Sequence, residues 1–217
     1  PPFASRAVLR PGDGLVLATH NKGKLAEFRS LLEPRGITVV SAGELGLPEP
    51  EETGTTFAEN ARLKAEAAAR ASRLLALADD SGLEVRGLGG APGVHTARWA
   101  GPERDFRVAM RRVRDELVAR FGSWEAADKR AAFVAVLCLA RPGGEVRLFE
   151  GRVEGEVAPE PKGEAGFGYD PIFIPDGETR TFGEMLFVEK QALSHRARAV
   201  RALLAACFPD QGSVTAT

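Results

Sequence analysis

Asp79 and Asp80 are adjacent carboxylates at the close of the apolar run Leu74 to Ala78, and a turn at Ser81-Gly82 is expected to follow at once. A strand carrying Leu74, Leu75 and Leu77 into a core would deliver the pair to the edge of its sheet. Two like charges withdrawn from water there need a cation to offset them. The pair is therefore a candidate metal site, with a β-turn at Ser81-Gly82, capped by one of the two Asp side chains, as the alternative. Glu52, in Glu51-Glu52-Thr53-Gly54, could join them around a hard cation. Magnesium takes oxygen ligands and keeps several waters, so a few carboxylates plus substrate phosphates suffice. An acidic surface loop is the alternative for that segment.

Thr19-His20-Asn21-Lys22-Gly23-Lys24 lies between a short apolar run and a helical pattern, a setting in which backbone N–H groups and two ammonium groups could surround a phosphate. It is not a Walker A loop, which would need Gly at the position of Ala18 and Ser or Thr at that of Leu25. Two lysines at a helix start oppose its dipole, so they need another reason to be there. Asn60 and Lys64 stand at i and i+4 and share a helix face. Gly166-Phe167-Gly168-Tyr169-Asp170 combines two aromatic rings and a carboxylate, suited to stacking a base and accepting its ring N–H; a core-facing aromatic pair is the alternative. Ser194-His195-Arg196 opens a last helix with Lys190 before it and Arg198 and Arg201 after, a basic cluster that a bound anion or carbonyl-rich ligand would relieve. Gly87 to Gly93 is no dinucleotide fingerprint, because the third Gly of that motif falls at Pro92. No Ser-His-Asp order stands out.

The elements that must position these groups read as mixed α/β. Leu15 to Ala18 and Ile37 to Val40 are short buried strands, and Lys24 to Glu33 is a helix with Leu25, Phe28, Leu31 and Leu32 on one face. Thr56-Phe57-Ala58-Glu59 fits a capping box opening an Ala-rich helix to about Ser72. After the strand that ends in Asp79-Asp80, Leu83-Glu84-Val85 would return as a second arm. Phe106 to Phe121 is helical, with Val108, Val113, Leu117 and Val118 as its apolar positions. Ala131 to Ala140 and Glu145 to Val157 form a hairpin across Arg141-Pro142-Gly143-Gly144, an arm suited to a second lobe. Residues 1–14 and 209–217 read as loose tails around one domain over 15–208.

Among the 217 residues, 29 Lys and Arg nearly balance 30 Asp and Glu, which argues against nucleic acid or a membrane surface as partner. A hydrophobic content of 44% supports a sizeable core. No apolar stretch approaches the roughly eighteen residues of a membrane span. Cys138 and Cys207 sit in apolar runs without metal-type spacing, as free thiols of a reducing, cytoplasmic compartment.

Six segments occur in collinear order between Leu15 and Leu204: Thr19 to Lys24, Glu52 to Phe57 with Glu59-Asn60-Ala61, Ala78 to Gly82, Gly89 to Gly93, Phe167 to Asp170, and Ser194-His195-Arg196. Together they closely resemble the non-canonical purine nucleoside triphosphate pyrophosphatases, also called inosine triphosphatases. That resemblance implies Mg²⁺-dependent hydrolysis of ITP, dITP and XTP to the monophosphate and pyrophosphate. It also implies an elongated mixed sheet flanked by helices, two lobes around a nucleotide cleft, and a homodimer. Carried over by position, Thr19, Asn21 and Lys24 hold the triphosphate within the His20, Lys22 and Gly23 loop, with Lys64 as a further cation. Glu52 and Asp80 bind magnesium, Asp80 also serves as general base, and Asp79 supports them. Ser81 contacts substrate, while Phe167, Gly168, Tyr169, Asp170, Lys190, His195 and Arg196 form the base pocket and part of the phosphate site. Trp99, Gln191 and His20 depart from the residues usual in the family, which bears on pocket shape and base preference. A pyrophosphatase acting on pyrimidine nucleotides and a nucleotide-binding regulator without turnover are the competing readings.

Overall fold

The computed structural model describes residues 9–208. Its strands are β1 (Gly14–Leu17), β2 (Thr38–Ser41), β3 (Ala76–Val85), β4 (Arg130–Ala140), β5 (Val146–Val157) and β6 (Phe173–Pro175). They form one mixed sheet in the order β2-β1-β3-β4-β5-β6. β1 runs parallel to both neighbours, whereas β3, β4, β5 and β6 alternate in direction. The helices are α1 (Lys22–Leu32), α2 (Phe57–Ser72), α3 (Phe106–Phe121), α4 (Phe187–Leu193) and α5 (His195–Cys207). This is the expected mixed α/β sheet flanked by helices.

Helix boundaries follow their caps. Asn21, Thr56, Asp105 and Ser194 each accept a backbone N–H of the first turn, and Gly122 closes α3 in the left-handed conformation. The hydrophobic interior has three parts. Leu17, Leu77, Phe28, Leu32, Val200 and Leu203 fill one face of the sheet beneath α1 and α5. Val16, Ala76, Ala78, Ala61, Ala65 and Val134 fill the other beneath α2. Leu83, Val85, Phe133, Val113, Leu117, Tyr169 and Phe173 form the third around the far half of β3 and β4 with α3.

The structure corrects the expected turn at Ser81-Gly82 and the return arm at Leu83 to Val85. β3 is continuous over 10 residues, and β4 pairs with all of them, from Ala76↔Ala140 to Val85↔Ala131. The backbone groups a turn would have used are committed to that ladder. Gly82 serves a close approach: a Cβ there would run into the Gly93 carbonyl oxygen and meet Phe57 Cε1 at 3.0 Å. Nor is β3 an edge strand throughout. β1 pairs with it only at Val16↔Ala76 and Leu17↔Leu77, so its edge opens beyond Leu77, where Asp79 and Asp80 follow.

Three smaller expectations also change. Leu74 is 53% exposed and precedes the strand, and Val108 is 51% exposed because α3 buries Ala109, Met110, Val113 and Leu117 instead. The loose N-terminal stretch expected over 1–14 does not include residues 9–14. Leu9 is fully buried, its N–H bonded to the Cys207 carbonyl at 3.0 Å, and Gly12 N–H bonds Gly36 O. Residues 1–8 and the expected tail 209–217 lie outside the described residues. Among the described residues, no helix is long and apolar enough to cross a membrane.

Candidate active site

Chain reversal after β1 sets one side of the site. Thr19 Oγ1 accepts the Asn21 N–H at 3.1 Å and Asn21 Oδ1 accepts the Lys24 N–H at 3.0 Å, so the chain turns from strand to helix within a few residues. α1 thus starts at the carboxyl end of β1, where open α/β sheets place their ligands. Lys24 reaches inward, its Nζ 2.7 Å from Asp79 Oδ1. Burial, with Lys64 and Arg196 nearby, pulls that ammonium below its ordinary value despite Asp79. Lys22 is exposed and lines neither cavity described below, so only one of the two loop lysines faces the site. His20 is exposed at the rim of the outer cavity. Gly23 packs against a ring: a Cβ on it would lie 2.6 Å from Phe167 Cδ1.

Strand alternation separates the two carboxylates, because successive side chains point to opposite faces. Asp79 shares the face of Leu77 and meets Lys24 Nζ and Arg196 Nε, the latter at 3.3 Å. Burial would raise its carboxyl, but Arg196 and Lys24 outweigh that and hold it well below the usual carboxylate range. Ser81, two residues on, donates to Asp79 Oδ1 at 3.1 Å and accepts from Arg196 Nη2 at 2.8 Å. Asp80 shares the face of Ala76 and Ala78, toward α2, where Lys64 Nζ lies 3.7 Å from its Oδ1. The same ammonium donates to Glu52 Oε1 at 2.8 Å and to the Asp79 carbonyl at 2.6 Å. Burial tends to lower Lys64, yet Asp80 and Glu52 raise it above its ordinary value. Asp80 is pushed up to about 6 by burial, with Glu52 adding to the rise against the pull of Lys64.

At the inner end, three carboxylates and three cations interlock. Arg196 Nη1 donates to Glu27 Oε1 at 2.8 Å, Lys190 Nζ lies 3.3 Å from Glu27 Oε2, and Lys190 Nζ lies 2.6 Å from Asp170 Oδ2. With the Asp79 contacts of Lys24 and Arg196, the network is electrically balanced. Burial raises the Asp170 carboxyl, opposed by Lys190 and by the Phe167 N–H that Asp170 accepts. Lys190 Nζ lies 4.6 Å from the Phe167 ring centre and the Arg196 guanidinium 5.6 Å. Tyr169 is only 2% exposed; its hydroxyl donates to the Thr96 carbonyl at 2.6 Å and its ring meets Phe106 edge to face at 5.4 Å. Of the expected aromatic pair, Phe167 lies against the buried cations while Tyr169 is anchored in the core. Gly168, at φ 63°, supplies the turn between them. His195 stacks on Phe133 with centres 4.7 Å apart, its Nδ1 buried without a partner. Burial, then Arg196 and Lys190, lower its pKa well below the ordinary histidine value, so the ring is neutral. Arg198 and Arg201 turn away, donating to Arg152 O and to Ala192 O.

Two adjoining cavities with shared walls result. The inner one, about 180 Å³, is bounded by Asp80, Ser81, Phe167, Lys190, His195 and Arg196 among others. The outer one, about 600 Å³, is bounded by Thr19, His20, Lys64, Glu51 and Arg98 among others, and both include Asn21, Lys24, Glu52 and Arg104. Glu27, Arg98 and Arg104 were not anticipated from the chain's motifs. Glu27 carried one usable signal, since it follows Lys24 by three residues and precedes Phe28 on the inward side of α1.

Among the described residues, no three His, Cys, Asp or Glu side chains gather as a metal cage. Asp80 Oδ2 is nonetheless buried without a hydrogen-bond partner, and Glu52 lies within reach of the same ammonium. Two carboxylates with a free oxygen beside a polar cavity fit a hard cation that completes its shell with water and ligand oxygens.

The model of the Ham1 family matches residues 15–206. A dITP/XTP pyrophosphatase of Gluconobacter oxydans (strain 621H) is 56% identical over 200 residues, 92% of this chain and 93% of that protein. One of Rhodospirillum centenum (strain ATCC 51521 / SW) is also 56% identical, over 91% of this chain and 96% of its own length. The solved structure of a HAM1 protein from Coxiella burnetii superposes with a TM-score of 0.80 at 40% identity, over 89% of this chain and 97% of that one. Matched in sequence over most of its length and in the course of its backbone, the chain belongs to the Ham1 family.

Proposed function

We propose that the chain is a Mg²⁺-dependent nucleoside triphosphate pyrophosphohydrolase that cleaves non-canonical purine nucleotides such as ITP, dITP and XTP to the monophosphate and pyrophosphate. The observation that carries the reading is the division of Asp79 and Asp80 between two faces of β3. One carboxylate is neutralised by Lys24 and Arg196, and the other keeps a free oxygen beside Lys64 and Glu52. Relatives named dITP/XTP pyrophosphatase support the same activity.

In this reading the base enters the inner cavity and stacks on Phe167, and the phosphates extend past Thr19, Asn21 and Lys24 into the outer one. Asp80 accepts the proton of the water that attacks the α-phosphorus. Lys24 and Lys64 stabilise the charge gathering on the departing pyrophosphate. Glu52 and Asp80 would hold Mg²⁺, which when bound supplies further neutralisation of phosphate oxygens. Asp79 keeps Lys24, Arg196 and Ser81 in place. The neutral His195 ring, with its proton on Nδ1, donates to a 6-keto oxygen beside the cations Lys190 and Arg196. An adenine amino group would leave that donor unpaired, which is how a polar pocket rejects an analogue. We further propose that the enzyme works as a homodimer in the cytoplasm, the buried free thiols Cys138 and Cys207 being suited to a reducing compartment, and that it needs neither nucleic acid nor membrane.

The test is pyrophosphate release from ITP, XTP, dITP, ATP and dTTP with Mg²⁺. Turnover of dTTP comparable to that of ITP defeats the purine assignment. Asp80→Asn, nearly unchanged in volume, is expected to lower kcat by at least about 100-fold with the fold intact. A wild-type-like kcat would remove Asp80 from the chemistry.

A further inference from the structure

Arg104 belongs to the turn between the Trp99 segment and α3, where its N–H bonds Gly101 O at 3.0 Å. Its φ is 52°, a left-handed value that glycine adopts freely and arginine does not. Among the described residues the other non-glycine with positive φ is Arg73, which ends α2 as its left-handed cap. Arg104 forms no such cap, so local geometry alone would favour glycine there and the side chain must supply the reason for arginine. Arg104 lines both cavities, one of the few residues they share. Its ion partner is Glu49, which also lines the outer cavity, at 3.9 Å, with the two side chains 63% and 54% exposed. A pair that long and that wet contributes little and yields easily to a more highly charged anion.

We propose that Arg104 is a phosphate-binding residue that leaves Glu49 to engage the distal phosphates of the bound triphosphate, and that Glu49 competes for it when pyrophosphate departs. This rests on the pyrophosphohydrolase reading, which directs the distal phosphates into the outer cavity. A planar guanidinium donates two parallel hydrogen bonds to phosphate oxygens, so the exchange replaces a loose contact with a charge-assisted one. Lys24 and Lys64 act on the leaving group from the fixed positions that Asp79 and Glu52 give them, whereas the exposed Arg104, loosely paired with Glu49, has the freedom to follow it.

The experiment compares wild type with Arg104→Gly, Arg104→Ala and Glu49→Gln in steady-state ITP cleavage with Mg²⁺, and in calorimetric titration with pyrophosphate, with and without Mg²⁺. Arg104→Gly suits the backbone, so its melting temperature should equal or exceed that of wild type. It should still raise KM for ITP and weaken pyrophosphate binding by roughly tenfold. Arg104→Ala should match it in binding, and Glu49→Gln should tighten pyrophosphate. Unchanged pyrophosphate affinity in both Arg104 variants overturns the proposal, as does an equal weakening by Glu49→Gln. If wild type binds pyrophosphate yet fails to cleave ITP, the substrate reading falls while the titrations still decide the role of Arg104. If wild type binds no pyrophosphate, both fall.

Discussion

Glu27→Gln should be far more damaging than its position in a surface helix suggests. Glu27 is 1% exposed and touches two cations, Arg196 Nη1 at 2.8 Å and Lys190 Nζ at 3.3 Å. Converting it to an amide leaves the buried set one positive charge in excess. Breaking a buried pair from one side costs about 3–5 kcal/mol. Both cations keep a second carboxylate, Asp79 at 3.3 Å and Asp170 at 2.6 Å, and the glutamine carbonyl still accepts one hydrogen bond. The lower end of the range therefore applies, about 3 kcal/mol, which for a chain of this size lowers the melting temperature by roughly 6–12 °C. A control separates burial from pairing. Arg29 and Glu44 meet at 2.7 Å, as close as Arg196 and Glu27, but with side chains 33% and 47% exposed. Glu44→Gln should leave the midpoint where it is, since exposed pairs are solvated and screened. Thermal melts and guanidinium unfolding of the two variants at low and high salt provide the assay. A Glu27→Gln midpoint within about 2 °C of wild type, or equal losses in both variants, would refute the claim that burial makes this network decisive.

Gly23→Ala, in the first turn of α1, gains less from helix propensity than the roughly 1 kcal/mol of a helix interior, and its Cβ would lie 2.6 Å from Phe167 Cδ1 and displace that ring. A KM for ITP raised roughly tenfold is expected, and an unchanged KM would separate the ring's position from substrate binding. His195 is held neutral in the fold, its pKa well below the ordinary value because of burial and the neighbouring cations. The unfolded chain binds a proton near pH 6.5 that the folded chain refuses, so stability falls as pH drops below that point. On lowering the pH from 6.5 to 5, unfolding free energies should decline more steeply in wild type than in His195→Gln, the extra slope rising from about 0.7 to about 1.4 kcal/mol per pH unit, and equal slopes would show that the folded ring protonates. Burial pushes the Cys138 thiol up to about 12, so thiol-specific labelling at pH 8 should leave Cys138 unmodified until denaturant is added, as mass spectrometry can read.

How far the sequence discloses the fold depends on whether the deciding interaction is local. α3 is legible to the residue, Phe106–Phe121, because Asp105 caps it and Gly122 stops it. The β4 and β5 hairpin is legible because apolar runs flank a Pro-Gly-Gly turn. The middle of β3 misleads for the converse reason. Asp79, Asp80, Ser81 and Gly82 are all poor strand formers, and what holds them extended is the long register with β4, formed by residues more than fifty positions away. An expected turn there conceals the geometry on which the site depends: within a strand, neighbouring aspartates cannot share one cation symmetrically, since they face opposite sides of the sheet.

Glu27 makes the same point from the other direction. On α1 it is one charged residue among several, and only the docking of α4 and α5 makes it a buried counter-ion. Its Lys190 and Arg196 partners lie more than 160 positions along the chain, so no helical periodicity could name them. A charge on the inward side of an amphipathic helix can still be read as half of an ion pair, because burying it unpaired would cost more than the helix gains by folding. By that rule the inward positions of Lys24, Glu27 and Arg196 on their helices already demand partners, and the three carboxylates Glu27, Asp79 and Asp170 are the groups that neutralise Lys24, Lys190 and Arg196. The balance has a functional consequence. In the proposed function, having these charges satisfied before a ligand arrives lets the inner cavity receive a neutral, hydrogen-bonding base without having to offset their desolvation, while Asp80 Oδ2, outside that balance and without a partner, keeps an oxygen free for the phosphate side of the reaction.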